Sequence, residues 1–169
     1  MGEETEGPGE RPALRAALND SLRAVCGQNV AYRQAVAARL GLSSSDLDCL
    51  GLVAARGPIT AGALAEATGL TSGAITGVID RLERAGYAVR VADPADRRKV
   101  LVRVSPAAAA RVAPLFEPLA SATHDSLAAY NVAELRMLLG FLERTEQAGH
   151  AALARLRDLP RPDPKRVRP

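Results

Sequence analysis

The chemistry within reach of this 169-residue chain is anion binding, and two short stretches carry it. In the first, Thr71-Ser72-Gly73, Thr76-Gly77 and Asp80-Arg81 fall at helical spacing, small and polar at the start with a cation one turn further on. Free N–H groups at such a helix start favour anions, and small side chains allow close approach, so phosphate is the natural ligand. In the second, Arg97-Arg98-Lys99 follows Asp93-Pro94-Ala95-Asp96, a basic cluster at or just after the tip of a turn. Catalytic chemistry finds no comparable constellation: no nucleophile, base and orienter assemble, and there is no Gly-rich phosphate loop. His124 and His150 show no ligand spacing with each other or with Cys26 and Cys49, so neither a metal nor a cofactor is expected.

The elements that must position these stretches follow from periodicity. Ile75, Val78, Ile79 and Leu82 recur at i, i+3, i+4, i+7, the pattern of a helix that buries one narrow face and leaves the Ser72, Gly73, Thr76, Gly77, Arg81 face free. Gly86 ends it. Residues 87–91 and 100–104 alternate β-branched and other residues and predict two strands around the basic turn. Upstream, Ser43 predicts a cap for a helix from Ser44 to about Ala55, with Asp46 favouring its first turn. Arg56-Gly57-Pro58 predicts a turn, Thr60 a cap for a short helix to about Thr68, and Thr71 a cap for the helix above. Two short helices across a Gly-containing turn make a helix-turn-helix, with Leu64 and Ala65 facing inward. A basic-tipped hairpin after it completes a winged helix in outline.

Asp80-Arg81-Leu82-Glu83, then Gly86, then Asp93-Pro94-Ala95-Asp96-Arg97-Arg98 and Val100-Leu101-Val102 resemble the recognition helix and wing of MarR-type transcriptional regulators. The resemblance covers roughly residues 40 to 105 by motif and the flanking helices by length and order alone. Gly77 and Ala95 depart from it, standing where many members carry a basic residue, which implies fewer direct base contacts. It implies a homodimer on double-stranded DNA, a pocket between the dimer helices and the winged helix that takes small aromatic or phenolic acids, and, in some members, a peroxide-sensing cysteine in the first helix, here Cys26.

Composition agrees with helices. The hydrophobic share is 47% but aromatics are 3% and Trp is absent, so Ala, Leu and Val must supply the core. No apolar run is long enough to span a membrane, and MGEETEGPGE is the opposite of a basic signal-peptide start; a cytoplasmic protein with two free thiols is expected. The formal charge is +3, and residues 80 to 104 alone hold seven Lys or Arg against four Asp or Glu, the footprint of a nucleic-acid partner.

Outside the winged helix, apolar positions Leu14, Leu18, Leu22, Val25, Cys26, Val30 and Val36 predict a long helix from Pro12 to about Arg39. Ser105-Pro106 starts another, expected to run to about Tyr130 with Pro114 and Pro118 bending or breaking it. Asn131 to Glu134 has capping-box spacing, opening a last helix with Leu135, Leu138, Leu139 and Leu142. Little in one chain could bury these Leu stripes, so a two-fold dimer through Leu14, Leu18, Leu22, Leu135, Leu138 and Leu142 is expected. It would set two recognition helices about 34 Å apart, for successive major grooves of a near-palindromic site.

The expected fold is mainly α with a small two-stranded β-wing. Residues 1–10 form a disordered tail, 11–40 and 105–158 a helical dimerisation domain, 41–104 a winged helix-turn-helix, and 159–169 a basic disordered tail. DNA contacts are expected from Thr60, Thr71, Ser72, Gly73, Thr76, Gly77, Arg81, Arg97, Arg98 and Lys99. Cys26, Tyr32 and Cys49 are candidate neighbours of an effector. The expected function is that of a DNA-binding regulator, most simply a repressor, released by a small molecule. The alternatives are a thiol redox sensor using Cys26 and a winged-helix interaction module without DNA.

Overall fold

The structure is a computed structural model that describes residues 9–159. The acidic start and the Pro-rich basic end expected to be tails fall, but for residues 9, 10 and 159, outside it. Six helices and three strands follow in the order α1 (Glu10–Leu40), α2 (Ser44–Arg56), β1 (Ile59–Thr60), α3 (Ala61–Thr68), α4 (Ser72–Arg84), β2 (Ala88–Ala92), β3 (Val100–Val104), α5 (Pro106–Leu127) and α6 (Val132–Asp158). The chain divides into two compact units that part between Phe116 and Glu117.

Side-chain caps set most helix starts. The Asp46 N–H donates to Ser43 Oγ at 3.1 Å, Ala63 to Thr60 Oγ1 at 3.1 Å, Ala74 to Thr71 Oγ1 at 3.3 Å and Ala108 to Ser105 Oγ at 3.1 Å. Each satisfies an N–H that the first helical turn leaves without a partner. Asn131 and Glu134 form the expected reciprocal capping box. Gly41 closes α1 at φ 68°, a left-handed backbone that costs glycine little.

The sheet differs from the expected two-stranded ribbon. It has three antiparallel strands in the order β1-β3-β2, with Ile59 opposite Val102 and Thr60 opposite Leu101. Two residues are too few to show a period-2 pattern, so β1 hid inside what reads as a turn and a cap. Thr60 therefore caps α3 and lies in the sheet edge at once.

The core of the first unit has two clusters. Val53 of α2, Leu64 of α3, all four apolar positions of α4, Tyr87, Val102 and Ala108 of α5 are buried together. A second cluster joins Val36 and Ala37 of α1 to Leu47 of α2, with Tyr32, Leu115 and Phe116 against it. Tyr87 is the polar knot of this unit: its hydroxyl donates to the Leu40 carbonyl at 2.9 Å and accepts from Arg111 Nη2 at 2.7 Å. Beside it, Ser105 Oγ donates to the Gly86 carbonyl at 2.7 Å. The end of α1, the start of β2 and the start of α5 are thus tied at one point.

The two prolines do not break α5, which runs unbroken from Pro106 to Leu127 and ends three residues before the expected Tyr130. Each proline removes the donor for the carbonyl four residues back. Those carbonyls belong to Ala110 and Pro114, both exposed, where water can serve them. In the second unit α6 buries none of its residues, and Leu139, Leu142 and Leu156 are more than half exposed. In α1, Leu14 and Leu18 are equally bare, and Leu22 is half-buried. Leu135 and Leu138 are half-buried on α6.

Candidate nucleic-acid interface

The winged helix brings its predicted residues onto α4 and the β2–β3 turn. Ile75, Val78, Ile79 and Leu82 turn inward and are buried, which leaves Thr71, Ser72, Gly73 and Thr76 exposed on the opposite face, with Gly77 half-buried. Thr76 Oγ1 donates to the Ser72 carbonyl at 2.9 Å, lying along the helix rather than projecting from it. Nothing lies within 4 Å of where a Cβ on Gly73 would stand, so the first turn presents backbone to open space. Thr60, by contrast, is partly covered and spends its hydroxyl oxygen on the α3 cap.

The basic turn is braced by its acidic residues. Asp93 accepts the Ala95 N–H at 2.8 Å and Asp96 the Arg98 N–H at 3.1 Å, both local Asx turns. Backbone bonds from Asp93 N–H to the Lys99 carbonyl at 3.0 Å and from Lys99 N–H to the Asp96 carbonyl at 2.8 Å close the loop. Of the three cations, Lys99 lies 3.8 Å from Asp96. Among the described residues neither Arg97 nor Arg98 enters an ion pair, and both are exposed. The carboxylates are occupied by backbone N–H groups, so the two guanidiniums stay available.

Two other cations of this region are held in ion pairs. Arg81 reaches back to α2, its Nη2 donating to Asp46 Oδ1 at 2.7 Å and its Nε to both carboxylate oxygens at 3.2 Å. Burial works to raise the Asp46 carboxyl, but the hydrogen bonds from Arg81 and Ser43 outweigh it, holding it below its ordinary value. Arg90 of β2 donates to Asp80 at 2.7 Å and also pairs with Glu83, fastening the wing to α4. The Asp46–Arg81 partnership has no sequence signal, since the two stand 35 positions apart. Arg84 and Arg103, which no motif singled out, are exposed and unpaired among the described residues.

The same unit contains a cavity of about 350 Å³ between α1, α2 and α5, lined by Arg33, Leu47, Leu50, Gly51, Ala54, Val104, Ala109, Val112, Ala113 and Phe116. Its walls come from α1, α2, α5 and the end of β3, and none of Cys26, Tyr32 and Cys49, the expected neighbours, lines it. Cys26 lies exposed on α1. Tyr32 donates its hydroxyl to the Leu115 carbonyl at 2.6 Å and packs on Phe116, centroids 6.1 Å apart. Cys49 faces the other side of α2, into the winged-helix core, where burial and the nearby Asp46 and Asp48 carboxylates push its thiol up.

A helix-turn-helix joined to a three-stranded sheet whose β2–β3 hairpin carries a basic turn defines a winged-helix protein. A profile of the MarR family matches residues 40–99. The chain is 37% identical over 130 residues to the uncharacterised HTH-type transcriptional regulator YcgE of Bacillus subtilis, covering 77% of this chain and 84% of that one. It belongs to the MarR family of transcriptional regulators, whose members are not enzymes. A MarR family protein from Bacillus stearothermophilus shares the fold at a TM-score of 0.63 and 19% identity, over 82% of this chain and 97% of that chain. So does a mutant MarR of E. coli complexed with operator DNA, at a TM-score of 0.51 and 22% identity, over 76% and 93%. Among the described residues no helix is long and apolar enough to cross a membrane.

Proposed function

We propose that the chain is a homodimeric repressor that grips a near-palindromic operator through α4 and the wing and is released by a small-molecule effector. The observation that carries DNA binding is the pair of unpaired, exposed guanidiniums on a turn whose own carboxylates are already occupied. Arg97 and Arg98, with Lys99 beside them, enter the minor groove flank, where negative potential attracts such groups. Thr71, Ser72, Gly73, Thr76 and Gly77 face the major groove, with the bare first turn of α4 close to phosphate. Arg81 supports this helix from behind rather than reading bases, and Thr60 supports it by capping α3.

The leucines of α1 and of α6 favour a dimer. Both helices carry large apolar side chains left open to solvent within the chain, Leu14, Leu18 and Leu142 among them, and apolar area of that kind drives association. Release by an effector is supported by the apolar cavity between α1, α2 and α5, and by the Tyr87 knot that joins the end of α1 and the start of α5 to the base of the wing. A ligand acts there only through its differential affinity for the arrangements that hold and release DNA.

The test is enrichment of sheared genomic DNA from the source organism on the purified protein, followed by salt titration of the enriched fragment. A discrete fragment bound with affinity falling steeply as salt rises is expected. Absence of any enriched sequence would leave a winged-helix interaction module instead.

A further inference from the structure

The cavity between α1, α2 and α5 carries its own statement about charge. Every lining residue but one is apolar. The exception is Arg33, and its guanidinium is already engaged: Nε and Nη2 donate to Asp48 Oδ1 at 3.1 and 2.6 Å. The same group stands 6.0 Å over the Phe116 ring and packs against Gly51, where a Cβ would meet Nη2 at 3.5 Å. It is therefore held on three sides, by a carboxylate, an aromatic face and a bare stretch of α2. Among the described residues no buried side-chain donor or acceptor lacks a partner, and the Tyr32 hydroxyl is spent on the Leu115 carbonyl. A carboxylate entering this cavity would lose water and meet a cation already ion-paired with Asp48. Burying an unpaired carboxylate is strongly unfavourable.

We infer that this cavity selects an uncharged apolar ligand of about two fused rings, and that Asp48 sets that preference by neutralising Arg33. This rests on the effector role proposed above for the same cavity. The size follows from volume: a closed apolar cavity of about 150 Å³ accepts benzene, and this one is about 350 Å³ and open on one side. The preference runs against the aromatic acids that the family resemblance suggests.

The experiment compares two near-isosteric probes, 2-acetylnaphthalene and 2-naphthoate, binding to the full chain at pH 7. The chain has no tryptophan, so naphthyl fluorescence reports binding directly, with calorimetry as a second readout. The ketone should bind at least about tenfold more tightly than the acid, given the cost of burying an unpaired carboxylate. In Asp48→Asn, which alters an exposed residue and frees Arg33, the acid should tighten by about threefold or more while the ketone is unchanged, the scale of a partly exposed ion pair. Ala54→Phe, which fills the cavity from an exposed helix position, should abolish ketone binding. An acid that binds the parent as well as the ketone does would overturn the charge preference and leave the effector site standing. An acid affinity unmoved by Asp48→Asn would overturn the role of Asp48. Failure of both probes to bind, or ketone binding that survives Ala54→Phe, would remove the cavity itself as the ligand site.

Discussion

Arg81 of α4 and Asp46 of α2 form a three-contact ion pair, 2.7 to 3.2 Å long, in which the carboxylate is buried and the guanidinium half exposed. Helix α4 is therefore docked by a charge as well as by its apolar face, and the same carboxylate completes the α2 capping box. Because the folded Asp46 carboxyl lies below its ordinary value, the pair contributes fully above the ordinary Asp range, about 4, and that contribution fades as pH falls through the lower folded value. Asp46→Ala should cost about 1.5–3 kcal/mol at pH 7, as for hydrogen bonds to a charged group, and distinctly less at pH 3. Urea unfolding at the two pH values measures both.

Gly73 offers a sharper probe of α4 than Gly77. A side chain at 77 would begin 3.4 Å from Arg81 Nη1, so a carboxylate there has an internal partner to choose over DNA. At 73 the space is open. Glu in the first turn suits the helix dipole and replaces a poor helix former. Gly73→Glu should thus keep or slightly raise thermal stability while lowering operator affinity at least tenfold through repulsion by phosphate. Retained affinity would place α4 away from the DNA.

For the wing, the double variant Arg97→Ala, Arg98→Ala should weaken operator binding and lower the slope of log affinity against log salt by about two, one per lost phosphate-directed charge. Its helical circular dichroism should match the parent, since Asp93 and Asp96 brace the turn through backbone N–H groups and not through these side chains. An unchanged slope would take the wing out of the interface.

For assembly, Leu18→Glu with Leu142→Glu should convert the dimer to monomer, or to insoluble protein if the exposed stripes find other partners. Both positions are more than half exposed within the chain, so the fold of the winged helix itself should survive and its near-native unfolding midpoint should show it. Sedimentation velocity decides; a parental protein that already sediments as a monomer refutes the dimer.

What the sequence made legible was whatever is local. The caps at Ser43, Thr60, Thr71, Ser105 and Asn131 each act within three residues, and the buried face of α4 repeats within two turns, so both show in a short window. Long-range choices did not show. Asp46 reads as a first-turn acid and Arg81 as a free cation until folding brings α2 and α4 together, and Arg33 reads as one more surface charge until Asp48 and Phe116 surround it. Pro114 and Pro118 mislead for a different reason: their cost falls on exposed carbonyls that water can satisfy, which spacing alone cannot reveal. Cys49 and Cys26 share a residue type and part company only in their surroundings, one inside the winged-helix core and one in solvent.

The short strand β1 has a bearing on how this protein could diversify. β3 is pinned on both flanks, by β2 along five residue pairs from Ala88 with Val104 to Ala92 with Val100, and by β1 at Ile59 and Thr60. A slip of one residue would turn Val102 out of the core and break two ladders together. The seven positions from Asp93 to Lys99 are therefore mechanically insulated from the body: lengthening them, or trading their charges, leaves the register behind them unchanged. A lineage could rewrite the wing tip without renegotiating the fold.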